Sequence, residues 1–243
     1  MSIPFNIKDP YWNKKHPGMS ERIIGRLIIV RHGESESNIE LTTTGQTTEH
    51  MIDHSLTDIG KQQAQDVADF LETKGLEYID MIEISPLYRA IQTAIPLLLK
   101  RTNDMNIVKV NYELREKYTK SPYWCNMPYN LLNIHPYYEN KNFHKCQIIN
   151  KQWLRSPDTD FEGRIKGIIE EWKSIISVKD RKQILIFTHS QVISQLLSSD
   201  KSFHLANGSI TIIDIDEKHH MHVHVANYTK HLRTPTGMHT CIF

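Results

Sequence analysis

Arg26-Leu27-Ile28-Ile29-Val30 runs directly into Arg31-His32-Gly33-Glu34-Ser35. The apolar stretch does not alternate with polar residues, so it suits a strand buried on both faces, as in a parallel sheet. Ligands of open parallel sheets bind beyond the carboxyl ends of the strands. A strand that ends on an arginine, a histidine and a glycine therefore places a phosphate fork, a nitrogen nucleophile and a point of close backbone approach at a binding rim.

Working outward, strands and helices alternate. Thr57 opens a helical pattern with Ala64, Val67, Ala68 and Leu71 on one face, ending near Gly75. Ile79–Ile84 predicts a second strand. Ser85-Pro86 predicts a helix start with Pro86 in the first turn, and Pro96 predicts a kink. Ile107–Val110 predicts a third strand, leading to Glu113-Leu114-Arg115-Glu116. Asp160 or Thr159 caps a helix to about Val178. Gln183–Thr188 predicts a fourth strand, followed by His189-Ser190 and a short helix over 192–197. Ser209–Ile215 and Met221–Val225 predict a closing antiparallel pair. The expected fold is an α/β three-layer α/β/α sandwich, with a mostly parallel sheet and an antiparallel edge. Residues 1–243 are expected to form a single domain. Residues 1–25 read as an N-terminal arm, 41–55 as a loop, and 117–159 as an irregular insertion or lid. Residues 227–243 read as a tail folded over the site.

Composition narrows the function. The 243 residues carry 29 Lys+Arg against 28 Asp+Glu, a net charge of +1. No overall field recruits nucleic acid or an anionic membrane, so neither is an expected partner. The longest apolar runs fall far below the ~18 residues of a membrane span. The first residues lack the apolar core of a signal peptide. Three cysteines without CxxC spacing fit a reducing cytoplasm.

The second strand delivers Arg89 just beyond its end, and the fourth delivers His189. Topology thus brings Arg31, His32, Arg89 and His189 to one rim, with Asn38 nearby. Two arginines and two histidines converging there form a phosphate site with a nucleophile. Fourteen histidines are a surplus with no polyhistidine run to explain it. Of the rest, His220, His222 and His224 share one face of a strand, opposite Met221, Val223 and Val225. With the apolar face inward, these histidines form a solvated outer stripe, and no functional metal is expected there. Asp53-His54 reads either as pocket rim or as the lead-in to a helix. His231 is a candidate to cover the site from the tail.

Leu27–Asn38 (LIIVRHGESESN) resembles the signature of the histidine phosphatase superfamily, the phosphoglycerate-mutase-like group. Ser55–Ala64, Ser85–Ala94, Ile184–His189, Asn207–Ser209 and Asn227–Leu232 resemble its later landmarks in order, over residues 27–232. The resemblance implies that His32 takes the phosphoryl group as a phosphohistidine. It implies that Arg31 and Arg89 clamp the phosphate oxygens and that His189 stabilises the transition state. Glu116 matches the general-acid position, with Glu113 as its rival. Asn38 and Ser190 are the expected substrate-contacting side chains. No cofactor or metal is required.

The chain also departs from the family pattern. Ser190-Gln191 follows the second histidine, where the family usually has Gly and the acid-phosphatase branch Asp. The aromatic-Gly-Trp loop of the mutases is missing from 41–55. The expected activity is therefore hydrolysis of a phosphomonoester, with a small phosphorylated substrate or a phosphoprotein as partner. The alternatives are a mutase-type isomerase and a non-catalytic phospho-ligand binding module.

Overall fold

A computed structural model describes residues 22–39, 53–74, 79–100, 107–117, 147–149, 159–197 and 205–237. Seven strands form one sheet: β1 (Ile23–Arg31), β2 (Met81–Ile84), β3 (Val108–Asn111), β4 (Gln147–Ile149), β5 (Lys182–Thr188), β6 (Ile210–Asp216) and β7 (Met221–Tyr228). Their order is β4-β3-β2-β5-β1-β6-β7. The first five in that order are mutually parallel, and β6 and β7 form the antiparallel edge.

Helices α1 (Asp58–Thr73) and α2 (Tyr88–Lys100) cover one face of the sheet. Helices α3 (Phe161–Ile175) and α4 (Ser190–Leu196) cover the other. The continuous apolar strands divide between two cores by their two-residue period. Ile28, Val30, Leu185 and Phe187 pack with Val67, Leu71, Ile91 and Leu98. Leu27, Ile29, Ile184 and Ile186 pack with Phe161, Ile165, Trp172 and Val192. Each such side chain stabilises the fold by roughly 1.5–3 kcal/mol, so the two cores fix the register of β1 between β5 and β6.

Several boundaries differ from expectation for local reasons. The strand expected to begin at Arg26 begins at Ile23, so residues 23–25 belong to the sheet and not to the arm. Gly25 makes that stretch possible, because a Cβ there would meet Ile176 at 2.7 Å. Residues 1–21 lie outside the described residues. The helix expected at Pro86 begins at Tyr88, whose N–H donates to Asp53 Oδ1 at 2.8 Å, while the Leu87 N–H goes to Ser85 Oγ at 3.3 Å. The helix continues through Pro96 to Lys100. The span 117–159 is not wholly irregular. Residues 147–149 add β4 beside β3, because the edge of β3 still offers unpaired backbone groups. Residues 118–146 and 150–158 lie outside the described residues.

Candidate active site

The register of the parallel strands builds the site. Arg31 pairs with Thr188 in the β1–β5 ladder, so the next residues, His32 and His189, leave neighbouring strands side by side. Their ring centroids are 5.2 Å apart. Ile84 pairs with Phe187, so Ser85 leaves β2 beside Thr188, and its hydroxyl reaches the next residue, His189. Beyond β3, a short turn over Tyr112–Leu114 carries the chain to Glu116.

His32 is 3% exposed. Its Nδ1 lies 2.7 Å from the Gly33 carbonyl, which can only accept, so Nδ1 carries the proton. The lone pair is therefore on Nε2, where Arg89 Nε donates at 3.3 Å. Burial first, then the Arg89 and Arg31 charges, hold the His32 pKa well below the usual range. The imidazole is thus neutral, with Nε2 as a nucleophile, at physiological pH.

Two glycines let the histidine loop sit tightly on α1. A Cβ on Gly33 would stand 2.5 Å from the Gly60 carbonyl oxygen, and one on Gly60 would stand 1.9 Å from the Glu34 oxygen. Thr57 caps α1 by accepting from the Gly60 N–H, and its hydroxyl donates to Glu34 Oε1 at 2.8 Å. The Gly33 N–H donates to Thr93 Oγ1 of α2 at 2.9 Å, tying the loop to the helix that carries Arg89.

His189 is fully buried, and its Nε2 lies 2.7 Å from Ser85 Oγ. The Ser85 oxygen already accepts from Leu87 N–H, so its own hydrogen is available for Nε2. That assignment places the His189 proton on Nδ1, which is buried and has no partner among the described residues. Burial, followed by the charges of Arg89, His32 and Arg31, lowers the His189 pKa well below the usual range. His189 is thus a neutral donor with an unanswered N–H at the rim.

Arg31 donates through Nη1 to the Leu205 carbonyl. Burial lowers its pKa to about 10, Glu116 opposes that shift and Arg89 adds to it, so the guanidinium stays charged at neutral pH. Arg89, at the start of α2, is 3% exposed. Burial raises the Glu116 pKa, while the Lys117 N–H and the Arg89 and Arg31 charges oppose the shift. Glu116 Oε1 accepts from that N–H at 3.0 Å. Its rival Glu113 turns toward Arg115 instead, at 3.5 Å. The structure therefore brings Arg31, His32, Arg89, Glu116 and His189 together and leaves Glu113 outside.

The two expected substrate contacts fare differently. Asn38 Oδ1 accepts from Ser35 N, Ser35 Oγ and Asn207 Nδ2, each at 3.0 Å. That oxygen orders the loop beside the His32 carbonyl. Ser190 is the first residue of α4, directly after His189, and is half-buried.

Other side chains at the site were not singled out as functional from the sequence. Ser85 orients His189. Asn207 links Asn38 to the His32 carbonyl, at 3.4 Å from the latter. Gln63 accepts from Glu34 N–H and donates to Thr234 O and Thr236 Oγ1. Arg164 donates to the Glu113 and Arg115 carbonyls, which fixes the turn before Glu116. Each acts across a long sequence gap, and only tertiary packing reveals it.

The tail does border the site. Thr236 O accepts from Asn207 N–H at 2.9 Å, and a Cβ on Gly237 would stand 3.3 Å from Arg31 Nη1. Residues 238–243 lie outside the described residues. His231 does not cover the site. It stacks on Tyr228 and Phe70, and its Nε2 bonds the Gly208 carbonyl at 3.0 Å. Asp53 caps α2, and His54 beside it is buried.

The solvated histidine stripe near residue 220 is also corrected. A bulge sets Ile212 opposite Val225 and Ile213 opposite Val223. It turns Val223 outward, 51% exposed, while the His224 side chain is only 11% exposed. His222 and His224 face Asp216 and Asp214 of β6.

Two buried histidines, two arginines and a buried carboxyl gather at parallel strand ends, an arrangement suited to phosphoryl transfer. Residues 27–228 match the histidine phosphatase superfamily (branch 1). The chain belongs to that family. It is 27% identical over 217 residues to a broad-specificity phosphatase of Saccharomyces cerevisiae, covering 85% of this chain and 87% of that protein. It shares its fold with the alpha-ribazole phosphatase from Shigella flexneri (TM-score 0.57, 22% identity, 84% of this chain and 96% of that one). It also shares it with a phosphoserine phosphatase from Entamoeba histolytica (TM-score 0.55, 23% identity, 86% and 99%).

Proposed function

We infer that the chain is a phosphatase that hydrolyses phosphomonoesters through a phosphohistidine on His32. The observation that carries this reading is the tautomer of His32: Nδ1 is tied to the Gly33 carbonyl and Nε2 presents a lone pair beside Arg89. His32 Nε2 attacks phosphorus, and the ester P–O bond breaks. Glu116, whose pKa burial raises, gives its proton to the leaving oxygen. Arg31, Arg89 and the His189 Nδ1–H hold the three equatorial oxygens as charge spreads over them. Glu116, now ionised, takes a proton from the water that attacks the phosphohistidine. Inorganic phosphate leaves, and both groups return to their starting states.

Charge neutralisation falls to Arg31 and Arg89, so the phosphate site itself needs no metal or cofactor. Asn38 and Ser190 are the side chains assigned to contact the substrate. That substrate is a small phosphorylated metabolite or a phosphoprotein, and the broad specificity of the yeast relative makes a wide panel the right starting point. The balanced charge supplies no overall field to recruit nucleic acid, so we expect none as substrate or partner. Among the described residues no helix is long and apolar enough to cross a membrane. We place the enzyme in the cytoplasm, which an odd count of three cysteines without CxxC spacing suits.

The test is trapping of the phosphoenzyme. Wild-type protein incubated with an aryl phosphate should carry an acid-labile phosphoryl group and release inorganic phosphate without a bisphosphorylated primer. His32→Ala should do neither. Turnover by His32→Ala would overturn the mechanism, and strict dependence on a primer would favour a mutase.

A further inference from the structure

Asp216, His220 and His222 lie where β6 turns into β7, and the phosphatase reaction makes no use of them. Asp216 ends β6 and is 1% exposed. Its two carboxylate oxygens have separate surroundings. Oδ1 accepts the N–H groups of Lys218 at 2.8 Å and His220 at 2.9 Å. Oδ2 faces outward to two imidazoles, with His222 Nε2 at 2.8 Å and His220 Nδ1 at 3.3 Å. One ligand atom from each of the three residues lies within 4.8 Å of the others. The turn that folds His220 back over the carboxylate passes through His219 at φ 62°, in the left-handed region.

We propose that Asp216, His220 and His222 form a binding site for a zinc-class divalent cation, separate from the phosphate pocket. The donor set is one carboxylate oxygen and two imidazole nitrogens, which suits zinc and its neighbours better than magnesium or calcium. Bonds of about 2.0–2.1 Å in a tetrahedron place ligand atoms about 3.3 Å apart. The 3.3 Å between His220 and Asp216 already has that spacing, and His222 needs to retreat by only about 0.5 Å. The backbone N–H groups on Oδ1 aim Oδ2 at the cation, as hydrogen-bonding groups behind metal ligands commonly do. Water completes the fourth position, since the His220 side chain is 66% exposed.

The location assigns the role. Asp216 lies beside the start of β1, because it pairs with Ile23, whereas Ile210 pairs with Val30 beside the phosphate pocket. At roughly 3.3 Å per residue the two sites stand about 25 Å apart. A cation here takes no part in phosphoryl transfer. It clamps β7, the outermost strand, to β6 and so stabilises the open edge of the sheet.

The experiment is calorimetric titration of tag-free, chelator-treated protein with zinc chloride. Wild type should bind one equivalent at micromolar concentration and show a raised Tm. His32→Ala should bind it equally well, which separates this site from the histidines of the pocket. The double variant His220→Ala/His222→Ala should weaken binding by at least about 100-fold and lose the Tm shift, since even residues behind the ligands cost 10–100-fold. Its zinc-free hydrolysis of an aryl phosphate should equal that of wild type. His222→Gln, which keeps a donor on Asp216, serves as the milder variant if the double one unfolds, and it should also weaken zinc binding. An unchanged isotherm in these variants, or wild-type binding only at millimolar zinc, overturns the proposal.

Discussion

At His32 the two ring nitrogens have different duties, and so do the two acidic residues near the third strand. Glu116 is buried with a raised pKa beside Arg31 and Arg89, whereas Glu113 pairs with Arg115 at the edge. Glu116→Gln should therefore slow turnover of alkyl phosphates by about 10²- to 10⁴-fold, the usual worth of a general acid. An aryl phosphate, whose leaving group hardly needs a proton, should lose much less. Glu113→Gln should leave the ratio of the two substrates unchanged, as steady-state kinetics on both esters would show. Ser85 Oγ bonds His189 and the Leu87 N–H, so it acts through His189 as a positioning residue. Ser85→Ala should lower kcat by about tenfold with KM little changed, matching the loss of roughly one hydrogen bond in the transition state. Ser85→Thr, which restores a hydroxyl, should recover most of it.

Elements meet at this site through backbone, not only through side chains. Gly60 in the first turn of α1 lies against the Glu34 carbonyl so closely that a Cβ would stand 1.9 Å from the oxygen. Neither partner can yield, because both belong to main chain. Gly60→Ala should destabilise the protein by about 3 kcal/mol or more, above the common range for overpacking. Urea unfolding followed by circular dichroism measures it, and wild-type stability in the variant would refute the close contact. Sequence patterning anticipated α1 and its Thr57 cap, because a side-chain cap and a 3.6-residue period are local signals. It misplaced the start of α2, because the cap that sets it, Asp53, comes from a loop 35 residues away.

For the molecule as a whole, acid acts through histidines buried in neutral form. His231 packs against Phe70 and Tyr228, which also touch each other, and holds the Gly208 carbonyl, and burial lowers its pKa to about 4. A histidine with a folded pKa below its unfolded value of about 6.5 binds more protons when unfolded. Its contribution is present above pH 6.5 and is lost as the pH falls toward 4. Buried His32 and His189 act in the same direction. The urea midpoint should thus fall between pH 6.5 and 4, and His231→Gln should flatten that slope. An equally steep slope in the variant would remove His231 as a contributor.

Unbroken apolar runs, helix caps and the Arg-His-Gly-Glu-Ser stretch determined by themselves the layered α/β fold and the rim where Arg31, His32, Arg89 and His189 meet. Those signals are local, and a parallel sheet converts strand ends into a shared edge whatever the loops contain. The tertiary structure decided what depends on register and distant packing. It buried Glu116 near Arg31 and Arg89 and set Glu113 against Arg115, gave His189 its Ser85 partner, and placed His231 in an aromatic cluster. Near residue 220 a single bulge, invisible to strict alternation, turned Val223 outward and set His222 and His224 against buried carboxylates. A two-residue period predicts faces only while the ladder is regular, and one extra residue exchanges them.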